Sequence, residues 1–191
     1  MRLDVVIVLD ASTSMLEQVS PSRRKIDLAV DGVQTFLAGL RLGSADRASL
    51  VVFNDHARVL VPLTGDRAAL LDGLENIEVR QFTRLDLGLE TAADELRRGA
   101  SGTLKAVVGL SDGWVNPVPP AAAVEASRTV KADGAALYMI AFGNDADEQL
   151  LMAIADPGRY VKAGDPTSIT SVYRDLTRRV PCPPEAYWGR R

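Results

Sequence analysis

Three short stretches of this chain carry oxygen-bearing side chains in a pattern suited to holding a cation. Asp10-Ala11-Ser12-Thr13-Ser14 ends an apolar run with a carboxylate and two hydroxyls at alternate positions. Ser111-Asp112-Gly113 ends a second apolar run with another carboxylate. Between them Thr83 opens Thr83-Arg84-Leu85-Asp86-Leu87-Gly88-Leu89, just ahead of a helical pattern. Carboxylate and hydroxyl oxygens, with no sulfur or imidazole, suit a hard divalent ion such as Mg²⁺ or Mn²⁺. Mg²⁺ takes about six oxygens at ~2.1 Å and keeps several waters. Two or three hydroxyls with one or two carboxylates leave that shell incomplete, so a position stays open for water or an outside carboxylate. Taken singly, each piece has a plainer reading. Ser12 and Ser14 could cap backbone groups in a turn, and Asp112-Gly113 could be a turn dipeptide. It is the conjunction of the three that favours a site.

The elements that must position these groups are legible as alternating apolar runs and amphipathic segments. Val5 to Leu9 is a continuous apolar run dominated by β-branched residues, as in a strand buried on both faces. Ile26, Ala29, Val30, Val33, Phe36, Leu37 and Leu40 recur at helical spacing, with Gly43 expected as the stop. Ser49 to Phe53 and Ala57 to Leu63, joined by Asn54-Asp55-His56, predict a hairpin. Helices are expected over 66–77 and from Leu85 to about Leu96, then a strand over 104–110 and a helix over 121–132 stopped by Gly134. A strand over 135–142 follows. A helix over 148–155 is next, with Asp145 and Glu148 as its capping box. A short edge strand over 159–162 precedes a last helix over 165–180, capped by Asp165 with Pro166 at its first position.

This alternation predicts an α/β fold: a doubly wound, mostly parallel sheet with one antiparallel edge strand and helices on both faces. Ligands of such sheets bind outside the carboxyl ends of the strands, where strand order reverses. The loops after Leu9, Leu110 and Phe142 are therefore where chemistry is expected.

Bulk properties exclude several classes. The 191 residues suit one domain, taken as 1–180, with a Pro-rich tail at 181–191. A net charge of -3 and no dense Lys/Arg stripe argue against nucleic acid. Arg23-Arg24-Lys25 and Arg178-Arg179 are expected on helix ends and solvated faces, as are the charged residues of 93–98. The single Cys182 rules out an internal disulfide or a thiolate metal cluster. No run approaches the roughly 18 uncharged apolar residues of a membrane span, and the first residues lack the pattern of a secretory leader. A soluble, cytoplasmic protein that does not engage a membrane is expected.

The Asp10-to-Ser14 loop, Thr83 and Leu110-Ser111-Asp112-Gly113 together resemble the metal-ion-dependent adhesion site of von Willebrand factor type A domains, in order, placement and intervening lengths. The resemblance runs from Leu3 to about Val180 and implies the Rossmann-like fold of that family. It implies Ser12, Ser14 and Thr83 as direct ligands, with Asp10 and Asp112 acting partly through water. It implies Mg²⁺ or Mn²⁺ as the ion, and a protein partner that supplies a Glu or Asp carboxylate. In several families of this fold, contact at the metal is coupled to a shift of the final helix. Bacterial members often work with ring-forming AAA+ ATPases of the MoxR or chelatase type, which makes such an ATPase a candidate partner. One departure stands out: the Thr is usually preceded by glycine, whereas Gln81-Phe82 precede Thr83. With Trp114, which could pack as core or stand at the rim, they form a candidate partner-binding rim.

Other functions fit these residues less well. His56 is the only histidine, so a Ser-His-Asp triad would have to use it, and it is expected in a hairpin turn away from the Asp10-to-Ser14 loop. A Mg²⁺-dependent phosphohydrolase of the haloacid dehalogenase type would want Asp where Ser12 stands. Neither GxGxxG nor GxxxxGK[ST] is present. No catalytic residue is assigned, and Asp86 is expected to serve the positive end of its helix. A structural or self-associating domain remains the third reading, with the Tyr187-Trp188 tail either docking back or binding another chain.

Overall fold

Alternation along the first strand explains how the sheet is covered. In the computed structural model, which describes residues 2–112 and 114–180, strand β1 (Leu3–Asp10) is buried along its whole length. Leu3, Val5, Ile7 and Leu9 enter one core and Val6 and Val8 the other, because successive side chains of a strand point to opposite faces. On the first face lie α1 (Lys25–Gly39), α2 (Arg67–Leu74) and α6 (Ile169–Arg179). On the second lie α3 (Leu85–Arg97), α4 (Pro120–Ala132) and α5 (Glu148–Ile154).

The remaining strands of this sheet are β4 (Arg47–Phe53), β5 (Ala57–Thr64), β6 (Leu104–Ser111), β7 (Ala136–Phe142) and β8 (Tyr160–Ala163), and its order is β5-β4-β1-β6-β7-β8. All neighbours pair in parallel except β5, which pairs antiparallel to β4 at the edge. From β1 the chain builds outward through β4 and β5, then returns to place β6 on the other side of β1. Strand order therefore reverses between β1 and β6, and the loops carrying Asp10 and Asp112 leave from the two strands at that reversal.

Most boundaries agree with the expected ones, and the exceptions have local causes. A small separate ribbon, β2 (Gln18–Ser20) with β3 (Arg23–Arg24), was not expected; it is too short and polar to show a strand period. Helix α1 stops at Gly39, with Leu40 capping, so Gly43 is not the stop; its φ of 79° serves a later turn. The cap of α5 is Asp147, whose side chain accepts the Leu150 N–H at 3.1 Å, not Asp145. The last helix opens with a tight turn, Pro166–Ser168, before α6 proper. Two charged residues expected in solvent are buried. Lys25 is 3% exposed and pairs with Glu17 and Asp145. Glu95 is buried and accepts the Leu63 N–H at 2.7 Å, satisfying the backbone of the edge strand. The tail at 181–191, with its expected Tyr187-Trp188 contact, lies outside the described residues.

Candidate functional site

The carboxyl end of β1 delivers Asp10 fully buried. Its Oδ1 accepts the Ser12 amide at 2.9 Å, which turns the chain sharply after the strand. Its Oδ2 accepts the Ser111 hydroxyl from the end of β6 at 2.6 Å. Asp112 is also buried, and its main-chain oxygen accepts the Asp147 N–H at 2.7 Å, fastening the loop to the start of α5. Burial first, and the neighbouring Asp112 charge second, push the Asp10 carboxyl up to about 7, against hydrogen bonds from Ser111 and Ser12 that pull it down. Two buried carboxylates close enough to repel are a costly arrangement unless positive charge compensates them.

Ser12 and Ser14 follow with their hydroxyls 2.9 Å apart. Thr83 arrives from a different direction. A strap formed by residues 78–84 crosses the strand ends and is tied to three loops. Arg80 N donates to Ala11 O at 3.0 Å, and Arg84 N donates to Asn54 O at 2.8 Å. Thr83 and Asn116 exchange both main-chain hydrogen bonds, at 3.2 and 3.3 Å. The Asn54 amide anchors the other end of the strap on Glu78 O at 3.1 Å. Asp86 is occupied by Arg84, at 2.9 and 2.8 Å, so it is not presented to the cleft.

Ser12, Ser14 and Thr83 thus open into one cleft of about 310 Å³, walled by Gln81, Phe82, Trp114 and Asn116. All three rim residues expected from the sequence line it. Trp114 is 60% exposed and is not core; its indole N–H donates to Asp145 O and holds the ring over the rim. Phe82 is 45% exposed at φ 69°, the only non-glycine residue with positive φ among those described. That backbone costs a residue with a Cβ about 1–2 kcal/mol.

Among the described residues no group of three or more His, Cys, Asp and Glu side chains converges on a common point. A cation here would rest on hydroxyls as much as on carboxylates, and the donor set present fits a hard divalent ion. His56 lies at this end of the sheet after all, in the β4–β5 turn, but its side chain faces solvent against Asp55 at 3.0 Å and does not line the cleft. Asn116 and Ser111 were missed. Ser111 could have been suspected, since it immediately precedes Asp112 at a strand end. Nothing in the sequence pairs Asn116 with Thr83. A larger cavity of about 590 Å³ lies at the amino ends of β1, β6 and β7, around Tyr138 and Arg159. It is distant from the three loops, and its Arg159 is committed to Asp156 at 2.5 Å and to the Tyr138 ring at 5.3 Å.

Comparison with known proteins follows the same outline. The family profile described as "von Willebrand factor type A domain" matches residues 5–114, more than half of the chain. A UPF0353 protein of Mycolicibacterium paratuberculosis is 29% identical over 206 residues, covering 94% of this chain and 61% of that protein. The chain therefore spans about three fifths of that relative's length. Among solved structures, a von Willebrand factor type A protein of Catenulispora acidiphila superposes with a TM-score of 0.80 at 21% identity, covering 93% of this chain and 42% of that one. An aerotolerance-related membrane protein of Bacteroides fragilis gives 0.77 at 19% identity, covering 93% and 100%. The domain of a type V pilus tip protein of Porphyromonas gingivalis gives 0.78 at 14% identity, covering 94% and 95%. At these identities the likeness establishes the fold.

Proposed function

The chain belongs to the von Willebrand factor type A domain family, and from that premise we propose that it is a divalent-cation-dependent protein-binding module and not an enzyme. One observation carries the reading. Three hydroxyls from two distant segments, Ser12, Ser14 and Thr83, share one open cleft at the end of the sheet where two buried carboxylates sit. Ser12, Ser14 and Thr83 would hold Mg²⁺ or Mn²⁺ directly. Asp10, with both oxygens already accepting protein hydrogen bonds, would act through water, and Asp112 would add the second negative charge. A bound cation supplies the positive charge that offsets Asp10 and Asp112 and attracts a carboxylate from outside. The chain's own residues orient the donors and leave the face open to a Glu or Asp of a protein partner. A ring-forming AAA+ ATPase of the MoxR type is a candidate for that partner. No described helix is long and apolar enough to cross a membrane.

Calorimetric titration of chelator-treated protein with Mg²⁺ and Mn²⁺, beside Asp112→Ala, tests this. One saturable site, lost in the variant, is expected. Absence of heat, and of any thermal shift with either ion, would remove the proposal. A generic phosphate ester assay covers the alternative reading as a Mg²⁺-dependent phosphohydrolase. Turnover that disappears in Asp10→Asn would favour that enzyme instead.

A further inference from the structure

We propose that the partner segment received by this cleft is a single acidic residue flanked by apolar side chains, gripped between Phe82 and Trp114. This rests on the cation reading above and adds what must surround the carboxylate.

None of the residues lining the cleft carries a formal charge; apart from hydroxyl and amide groups, its wall is the two aromatic rings. The nearest guanidinium groups on the strap are already committed, Arg80 to Glu78 at 2.7 Å and Arg84 to Asp86 at 2.8 Å. A run of acidic residues would bring its second and third carboxylates against a lining that offers them no positive charge of its own, and their desolvation would go uncompensated there. One carboxylate with apolar neighbours matches a wall that carries two aromatic rings and no formal charge.

Both rings are also displayed at the cleft. Four large apolar side chains are exposed among the described residues, and two of them, Phe82 and Trp114, line this one cleft. A third, Leu16, lies two residues beyond Ser14. Trp114 is pinned by its indole N–H on Asp145 O, and still shows more than half its surface. Phe82 occupies a left-handed backbone where glycine would be unstrained, and displays its ring instead of burying it. A strained residue presenting an aromatic ring at a binding cleft serves contact better than it serves stability. A ring ordered in advance, as that of Trp114 is, loses little freedom on binding, as aromatic anchors of interfaces do.

The test uses labelled peptides whose core is Leu-Glu-Phe, Gly-Glu-Gly, Glu-Glu-Glu or Leu-Gln-Phe, followed by fluorescence anisotropy in Mn²⁺ and again after chelation. Leu-Glu-Phe should bind about tenfold more tightly than Gly-Glu-Gly, and Leu-Gln-Phe should lose binding. Phe82→Gly and Trp114→Ala should each weaken Leu-Glu-Phe by about tenfold. Phe82→Gly should do so without lowering the melting temperature, since glycine relieves the backbone. Equal binding of Gly-Glu-Gly, tighter binding of Glu-Glu-Glu, or no peptide binding to a protein that takes up Mn²⁺ would each overturn this inference and leave the cation reading standing. Binding that survives chelation, or that is unaffected by exchanging Glu for Gln, would overturn the cation reading itself. The ranking on the unaltered protein decides the matter even where a variant fails to fold.

Discussion

Asp10 is buried, accepts the Ser12 amide and the Ser111 hydroxyl, and shares its end of the sheet with Asp112. Its carboxyl is raised from 3.8 to about 7 by burial and by that second charge. The consequence for the metal-free protein has a definite sign. Below the ordinary value both folded and unfolded chains hold the proton, and the group is neutral in the balance. Between that value and about 7 only the folded chain keeps it, so stability falls as pH rises through this window and stays low above it. Asp10→Asn cannot ionise and can still accept from the Ser12 amide. Its melting temperature without metal should exceed that of the unaltered chain by a margin that grows as pH rises from acid to neutral. With Mn²⁺ added, the order should invert, because binding stabilises only a protein that retains its site. Thermal unfolding of both chains across that pH range, with and without Mn²⁺, is the measurement. A margin independent of pH would mean that the folded chain does not raise the Asp10 carboxyl, by burial or by the Asp112 charge.

At the level of elements, Thr83 is only as well placed as the helix it precedes. Helix α3 rides close on the sheet because Gly88 has no side chain. A Cβ there would stand 2.9 Å from Phe53 Cδ1 and 3.0 Å from Val8 Cγ1, both in packed core. Neither neighbour is a flexible chain end, so the helix must move outward to admit a methyl group. Gly88→Ala is therefore expected to cost about 1–3 kcal/mol in denaturant unfolding, despite alanine's better helix propensity. It should also weaken Mn²⁺ binding several-fold, since the start of the helix and the strap at 78–84 shift with it. Unfolding and metal titration on the same preparation separate the two effects. An unchanged affinity would show that the strap's bonds to Ala11, Asn54 and Asn116 hold Thr83 on their own.

Across the whole molecule, the site is one end of a sheet whose two faces are packed independently. Helix α6 reaches the sheet over α1, with Tyr173 against Gly32 and edge-on to Phe36 at 5.8 Å. The Tyr173 ring is buried, and its hydroxyl has no hydrogen-bond partner among the described residues. Burial alone pushes that phenol upward from its ordinary value. A buried hydroxyl left unmatched costs about 1–3 kcal/mol, so Tyr173→Phe should stabilise the protein by about 1 kcal/mol once lost contacts are counted. Calorimetric melting with an intact Mn²⁺ titration would bear this out. A loss of stability would point to a partner for the hydroxyl beyond residues 2–180.

Periodicity and composition were enough to read the parallel sheet, its antiparallel edge and the helices on both faces. They also put Asp10, Ser12, Ser14 and Asp112 at strand ends, because a buried strand must be apolar throughout and the first polar residues after it fall at its mouth, and Thr83 just ahead of a helical pattern. Short-range signals failed where a local motif had equivalents nearby, as with Asp145 and Asp147 or the glycines after α1. Only the tertiary structure decided the long-range matters. It paired Thr83 with Asn116, buried Lys25 and Glu95 against distant partners, set Trp114 outward on Asp145, and gave Phe82 its left-handed backbone. These depend on contacts between segments tens of residues apart, which no window of sequence contains. Whether a charged or aromatic side chain is exposed is decided by what the rest of the chain brings to it.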